Sequence, residues 1–133
     1  CQILNGRMDD NYDYDVNYIN KKIEVKTKHC TSKPEPSYFC SVAAYNIHQK
    51  CDIYLFVRVL KDLSAAWLLG HIEKDRFFNE ALFAKEGEID VSSDFGWKFK
   101  GDCYNLTISN LNGFSNRTLE SIKNYIKTDI SFP

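Results

Sequence analysis

Short apolar segments separated by polar turns run along the first part of the chain and predict β-strands. Residues 12–19 are rich in aromatic and β-branched side chains, and residues 22–29 alternate apolar with polar positions, so we expect each to form a strand. The dipeptide Asn20-Lys21 lies between them, and asparagine tolerates the positive φ of a two-residue turn. The pattern therefore predicts a β-hairpin that turns at Asn20-Lys21.

The middle of the chain carries the strongest hydrophobic signal. Residues 51–60 form a nearly continuous apolar run, which is typical of a central strand with side chains buried on both faces. Residues 65–72 form a second apolar run, which we expect to be a central or near-central strand that Gly70 weakens. Residues 103–109 alternate again and predict another strand.

Helical spacing of apolar positions occurs in three segments. We expect helices over residues 37–49, with Ser37 as N-cap, over residues 73–84, which Gly87 would end, and over residues 115–127. The order of elements predicts an α/β fold with a mixed central β-sheet flanked by α-helices. The length of 133 residues fits one domain.

Composition and charge exclude several classes of protein. The 17 basic and 18 acidic residues give a net charge of -1, which argues against a chain that coats nucleic acid over its whole surface. The five cysteines form no CxxC pair, so neither a zinc site nor a disulfide framework is predicted, and a reducing, cytoplasmic compartment is expected. No apolar run approaches the roughly 20 residues that span a bilayer, so no membrane partner is expected.

The predicted hairpin sorts polar and apolar side chains onto opposite faces. A turn at Asn20-Lys21 would pair Asn17 with Glu24 and Asp15 with Lys26. Because side chains alternate along a strand, one face would then carry Asp13, Asp15, Asn17, Glu24, Lys26 and Lys28. Two carboxylates and a lysine are thereby expected to lie together.

This set of side chains suits metal-assisted hydrolysis of a phosphodiester. Mg²⁺ or Mn²⁺ prefers a few carboxylate oxygens together with water and phosphate oxygens. Asp15 and Glu24 would provide metal ligands, and the backbone carbonyl of Val25 another. Lys26 would orient or help deprotonate the attacking water and offset charge on the phosphate.

Residues 12–29 resemble the PD-(D/E)xK nuclease superfamily, in which an Asp on one strand precedes Glu-x-Lys on the next. Archaeal Holliday-junction resolvases and many restriction and phage enzymes share this motif, and the match here is Asp15 followed by Glu24-Val25-Lys26. The resemblance implies a restriction-endonuclease-like fold, DNA as substrate, and a homodimer or a domain of a larger phage, viral or bacterial protein. A viral protein would act inside its host cell. The acidic helix that often precedes the first strand has no room here, so we expect that it is missing or that Asp9 or Asp10 replaces it.

Supporting residues have alternative interpretations. Asp13 shares the predicted face of Asp15 and is an alternative metal ligand, and Gln49 stands where the class often contacts the scissile phosphate or simply ends a solvated helix. Trp97 is either a core aromatic or a side chain presented to a base. The predicted nucleic-acid-binding lysines are Lys21, Lys22, Lys28, Lys33 and Lys50.

The sequence leaves three alternatives to the nuclease: two non-catalytic interpretations and one further class of enzyme. The hairpin face could be solvated, with an Asp15–Lys26 ion pair worth a fraction of a kcal/mol. In the nuclease interpretation, too, Glu24→Ala and Lys26→Ala are expected to change stability by about a kcal/mol or less, as at a surface site. The chain could also be a non-catalytic nucleic-acid-binding or protein-interaction module of the same fold. Cysteine-based chemistry is a third class, although free cysteines are commonly buried and inert.

Overall fold

The computed structural model of the protein describes residues 7–8, 16–18 and 21–114. The strands within them are β1 (Arg7–Met8), β2 (Val16–Tyr18), β3 (Lys21–Cys30), β4 (Phe39–Ala43), β5 (Ile53–Leu60), β6 (Ala66–Glu73), β7 (Leu82–Ala84) and β8 (Cys103–Thr107). The helices of these residues are α1 (Lys74–Glu80) and two 3-10 helices, Ala44–His48 and Ile108–Asn110. The fold is thus mixed α/β and made mostly of strands, and the helix predicted over residues 115–127 lies outside the described residues.

The larger sheet has five strands in the order β1-β2-β3-β5-β6. β2 pairs antiparallel with β3, β3 pairs parallel with β5, and β5 pairs antiparallel with β6. The sheet is therefore mixed, as the sequence predicted. The segment 65–72 was expected near the centre, but β6 is the last strand in this order.

The predicted hairpin is confirmed by the pairing of β2 with β3. The turn was predicted at Asn20-Lys21, which is one residue too far along the chain, because Lys21 already pairs with Tyr18. Val16 pairs with Ile23, whereas the predicted partner of Val16 was Val25. A shift of two residues leaves the alternation of faces unchanged, because side chains repeat with a period of two along a strand.

β5 is an interior strand with both faces covered, as its apolar run predicted. Leu55 packs with Ile23 on one face, together with Ile53 and Val57. Tyr54 and Phe56 point to the opposite face. There they join the main core, which is formed by Cys40, Val42, Cys51, Tyr54, Phe56, Ile72, Phe77 and Leu106.

The helix predicted over residues 37–49 is wrong. β4 pairs antiparallel with β8, which also pairs with β7 in a three-stranded sheet of order β4-β8-β7. Cys40 and Val42, two positions apart, both enter the main core, which is the periodicity of a strand. Only residues 44–48 adopt a helical turn, and it is a 3-10 helix.

The helix predicted over residues 73–84 is confirmed only in its first part. α1 ends at Glu80, and the chain continues directly into β7. Gly87 was expected to end this helix, but it has its positive φ of 88° in the turn after β7. Across the described ranges, no helix combines the length and apolar character needed to cross a membrane.

Gly70 marks the point where the pairing of β5 with β6 changes register, just after Phe56. Its φ is 146°, and a Cβ built there would lie 2.7 Å from the Cβ of Leu111 and 2.8 Å from the carbonyl oxygen of Asn112. Gly70→Ala should therefore lower the free energy of unfolding by about 2–3 kcal/mol, through backbone strain and overpacking. Urea denaturation measures this loss. Gly101→Ala, where a Cβ meets nothing within 4 Å, is the control, and equal losses in both variants would contradict this account.

Candidate active site

β3 carries its polar and apolar residues on opposite faces, as the alternating sequence predicted. Val25 packs with Leu55 in the smaller apolar cluster. Glu24 and Lys26 extend from the other face, where the parallel partner of Glu24 is Tyr54, a member of the main core. The charged residues of the Glu-x-Lys motif therefore lie beside the core of the molecule.

Glu24, Lys26 and Gln49 form a compact group, here called the Lys26 cluster. Lys26 Nζ lies 3.6 Å from Glu24 Oε1 and donates a hydrogen bond of 3.2 Å to Gln49 Oε1. The exposed fraction is 18% for the Lys26 side chain and 12% for the Glu24 side chain, and Gln49 is 4% exposed. The solvated face considered from the sequence is thus wrong for Glu24 and Lys26, because both charges are largely withdrawn from water.

Two further residues surround the Lys26 cluster. Lys26 Nζ lies 5.6 Å from the ring centroid of the fully buried Tyr54, within range of a cation–π interaction. Lys74, the first residue of α1, donates from its Nζ to the backbone carbonyl oxygen of Gln49. Neither residue was predicted from the sequence. A tyrosine within an apolar strand is a signal that could have identified Tyr54 as a candidate. The contact of Lys74 depends entirely on tertiary packing.

Hydrogen bonds between the starts of β3 and β5 hold this end of the sheet together. Asp52 N donates to the carbonyl oxygen of Lys22 at 2.7 Å, and Lys22 N donates to Asp52 Oδ2 at 2.8 Å. Lys74 N donates to the carbonyl oxygen of Asp52 at 2.9 Å. These bonds tie the segment that contains Gln49 to β3 and to α1, and so bring the Gln49 amide to Lys26.

The other predicted site residues divide into four groups. Asp13 and Asp15 lie outside the described residues, so a second carboxylate stays a prediction. Val25 lies in β3 with its side chain in the smaller apolar cluster, and the role of its carbonyl stays a prediction as well. Lys28 follows Lys26 on the same face of β3 and is exposed. The remaining predicted lysines are exposed and lie outside the Lys26 cluster: Lys21, Lys22, Lys33 and Lys50.

The buried cysteines do not favour thiol chemistry. Burial raises the pKa of the Cys40 thiol to about 12, and it also raises the pKa values of Cys51 and Cys103. The thiolate is the nucleophilic form of cysteine, so these three side chains remain protonated and unreactive near neutral pH.

The oxygen atoms of the Lys26 cluster are of the kind that bind a hard cation. Glu24 offers a carboxylate and Gln49 an amide oxygen, both of which are common ligands of magnesium and calcium ions. In the part of the chain that the structure describes, no three His, Cys, Asp or Glu side chains converge into a metal-binding group. Asp15, which lies outside the described ranges, stays the predicted second carboxylate of a magnesium site.

Comparison with known proteins adds no family to this geometry. No protein-family model matches the chain, and no curated protein matches it either. The functional interpretation accordingly depends on the Lys26 cluster and its surroundings.

Lys26→Met tests whether the Lys26 cluster behaves as a buried network. The substitution keeps an apolar stem but removes the ammonium from Glu24 and Gln49, so we expect unfolding free energy to fall by about 1–3 kcal/mol. This exceeds the change expected for a solvated hairpin. Lys33→Met, at an exposed lysine, is the matched control and should change stability by about 0.5 kcal/mol or less. Equal stability of the two variants in urea denaturation would show that the cluster is not a buried network.

Proposed function

We propose that this protein is a metal-dependent nuclease that hydrolyses phosphodiester bonds in DNA, with Asp15, Glu24 and Lys26 as its catalytic residues. The observation that most supports this is the largely buried pair of Glu24 and Lys26, whose charged atoms lie 3.6 Å apart beside the main core. A buried ion pair is often no more stable than apolar residues of similar size. Charged groups kept in such a place are therefore candidates for function.

The finer fold that we propose is restriction-endonuclease-like, in keeping with the resemblance of residues 12–29 to PD-(D/E)xK nucleases. The hairpin of β2 and β3 leads into the strand with the Glu-x-Lys motif, and the interior strand β5 pairs parallel with that strand. The connection between β3 and β5 contains β4 and a 3-10 helix in place of the helix that was expected. Gln49, which follows this 3-10 helix, nevertheless contacts Lys26.

In this proposal Asp15, Glu24 and the backbone carbonyl of Val25 would hold Mg²⁺ or Mn²⁺. The bound ion would polarise the scissile phosphate and lower the pKa of the attacking water. Asp15 is proposed from the sequence motif. Its neighbour Val16 pairs with Ile23, the residue before Glu24, which supports Asp15 as the second carboxylate.

Lys26 supplies positive charge at a defined position. Its ammonium is directed by the Glu24 carboxylate, the Gln49 amide oxygen and the Tyr54 ring. From there Lys26 donates a hydrogen bond to the attacking water or to a phosphate oxygen and offsets the negative charge that develops in the transition state. Gln49 acts through Lys26 and is a positioning residue.

The second candidate function is a non-catalytic module of the same fold that binds nucleic acid or another protein. It is favoured by the observation that the described residues bring together no three potential metal ligands. The two functions differ in whether the protein cuts nucleic acid when a divalent metal is added.

Cleavage assays with plasmid and oligonucleotide DNA test the proposal. The protein should cut with Mg²⁺ or Mn²⁺ and not with EDTA. Glu24→Gln and Lys26→Met should each lower the cleavage rate by about 100-fold or more, because each removes a metal or transition-state contact. DNA binding should survive better than cutting, because surrounding lysines provide most of the attraction to phosphates.

Matched controls lie at exposed positions away from the Lys26 cluster and from the predicted nucleic-acid-binding lysines. Glu35→Gln and Lys85→Met remove the same charges there and should cut at the wild-type rate. Thermal denaturation of each variant confirms that a loss of cutting is not a loss of fold. Absence of cleavage by the wild-type protein with either metal would favour the binding module, and full activity of Glu24→Gln would refute the site.

A further inference from the structure

A cleft of about 990 Å³ opens between the two sheets, next to the carboxyl-terminal half of β3. It is lined by residues 27–32, by Ser41 of β4, by Arg58 of β5, and by residues of the segment after β7, among them Ser92, Ser93, Phe95 and residues 97–103. The volume is at the upper end of the roughly 300–1,000 Å³ of ligand pockets. The cleft therefore has room for a ligand larger than a small metabolite.

Cationic side chains outnumber acidic ones in this cleft. The acidic residues are Glu86, Asp90 and Asp102. The cationic residues are Lys28, Arg58, Lys61, Lys98 and Lys100. Because the whole chain has a net charge of -1, this is a local concentration of positive charge, and it suits an anionic ligand.

Two of these cations are neighbours on adjacent strands. Lys28 pairs in register with Arg58, which is 7% exposed and donates to the carbonyl oxygen of Phe39 at 2.8 Å. Partial burial and the charge of Arg58 lower the pKa of Lys28, and Asp90 offsets part of this effect. An anion between Lys28 and Arg58 would relieve the repulsion between them.

An arm formed by residues 87–99 places two aromatic side chains at the cleft. Phe95 is 65% exposed and Trp97 is 60% exposed, with ring centroids 6.3 Å apart. Asp90 N donates to the carbonyl oxygen of Trp97 at 2.7 Å, and a bond from Phe99 N to Glu88 O extends this pairing. The backbone on which Trp97 stands is thus held by hydrogen bonds while its ring stays in solvent.

Ser92 anchors the arm to the smaller sheet. The Asp90 carboxylate accepts hydrogen bonds from the backbone N and the Oγ of Ser92, and Ser92 Oγ accepts one from Phe39 N at 2.9 Å. Gly96, with a φ of 68°, makes the turn between the two aromatic residues. Exposed aromatic rings on an anchored backbone suit stacking against a flat ligand, since little ordering is then needed on binding.

We propose that this cleft binds a single-stranded nucleic acid segment, with phosphates on Lys28, Lys98 and Lys100 and a base stacked on Trp97. The choice of nucleic acid among polyanions rests on the proposed nuclease function. Lys28 lies two residues beyond Lys26 on the same face of β3, which is about 7 Å along a strand. The cleft thus continues from the candidate active site. In this proposal the nucleic acid strand to be cut reaches the active site in single-stranded form.

Fluorescence anisotropy with labelled oligothymidylate in EDTA measures this binding without cleavage. Oligothymidylate should bind at least about tenfold more tightly than a duplex of the same length. Trp97→Ala should weaken its binding about tenfold or more, as expected for the loss of a base stack. Combined Lys98→Ala and Lys100→Ala should lower the slope of log K against log salt by roughly 1.4, at about 0.7 for each phosphate contact.

Controls separate the cleft from the general surface. Phe83→Ala removes an aromatic side chain that is 49% exposed on β7, and Lys85→Ala removes an exposed lysine, both outside the cleft. Neither should change the affinity. Lys28→Gln should weaken binding without lowering the melting temperature, because it removes a repelling charge beside Arg58. A merely structural lysine would show the opposite pattern.

Several results would overturn the cleft proposal. They are equal affinity for duplex and single strand, unchanged binding by Trp97→Ala, or equally strong competition by inorganic polyphosphate of matched charge. Binding as described without any metal-dependent cutting would refute the nuclease and leave the cleft proposal standing. Cutting that depends on Glu24, together with strand binding that does not depend on Trp97, would refute the cleft proposal and leave the nuclease standing.

Discussion

The parallel pairing of β3 with β5 is the interaction on which the rest of the molecule depends. It runs from the pair Ile23–Ile53 to the pair Cys30–Leu60, so the whole length of β5 is engaged. Parallel strands require a crossover connection, and here β4 and a 3-10 helix provide it. The same crossover covers one face of the larger sheet and ends beside Gln49, so one pairing both builds the core and assembles the Lys26 cluster.

Two charged residues of β3 lie where apolar residues would pack more favourably. They are Glu24 and Lys26, which are largely buried on the face that turns toward the main core. The ammonium of Lys26 is compensated by a carboxylate, an amide oxygen and an aromatic ring. Lys28, further along the same face, is exposed and pairs in register with Arg58. We propose that the cations of this strand serve to bind anions.

Local alternation was sufficient to predict which side chains share a face of β3 and of β5. It was not sufficient for the hairpin turn, because moving the pairing by two residues leaves every face unchanged. Residues 37–49 were misread for a related reason. The spacing of Phe39 and Val42 fits a helix, but the pairing of β4 with β8 makes this segment a strand. β8 is distant in sequence, so no local pattern predicts this pairing.

The candidate site was predictable to the extent that it lies in one short motif. Glu24 and Lys26 are neighbours in sequence, and their burial beside Tyr54 follows only from the register with β5. Gln49 was a candidate from the order of elements and does contact Lys26, although the predicted helix is wrong and its role stays a prediction. The contact from Lys74 arises where β6 meets α1, and it is visible only once the chain has folded.

We propose that Glu24 of the Lys26 cluster is a ligand of a catalytic metal ion. Anomalous diffraction from a crystal of the protein soaked in Mn²⁺ tests this proposal most directly. We expect an anomalous peak in contact with the Glu24 carboxylate that disappears in the Glu24→Gln variant. A peak elsewhere, or none beside Glu24 at a Mn²⁺ concentration that supports cleavage, would contradict it.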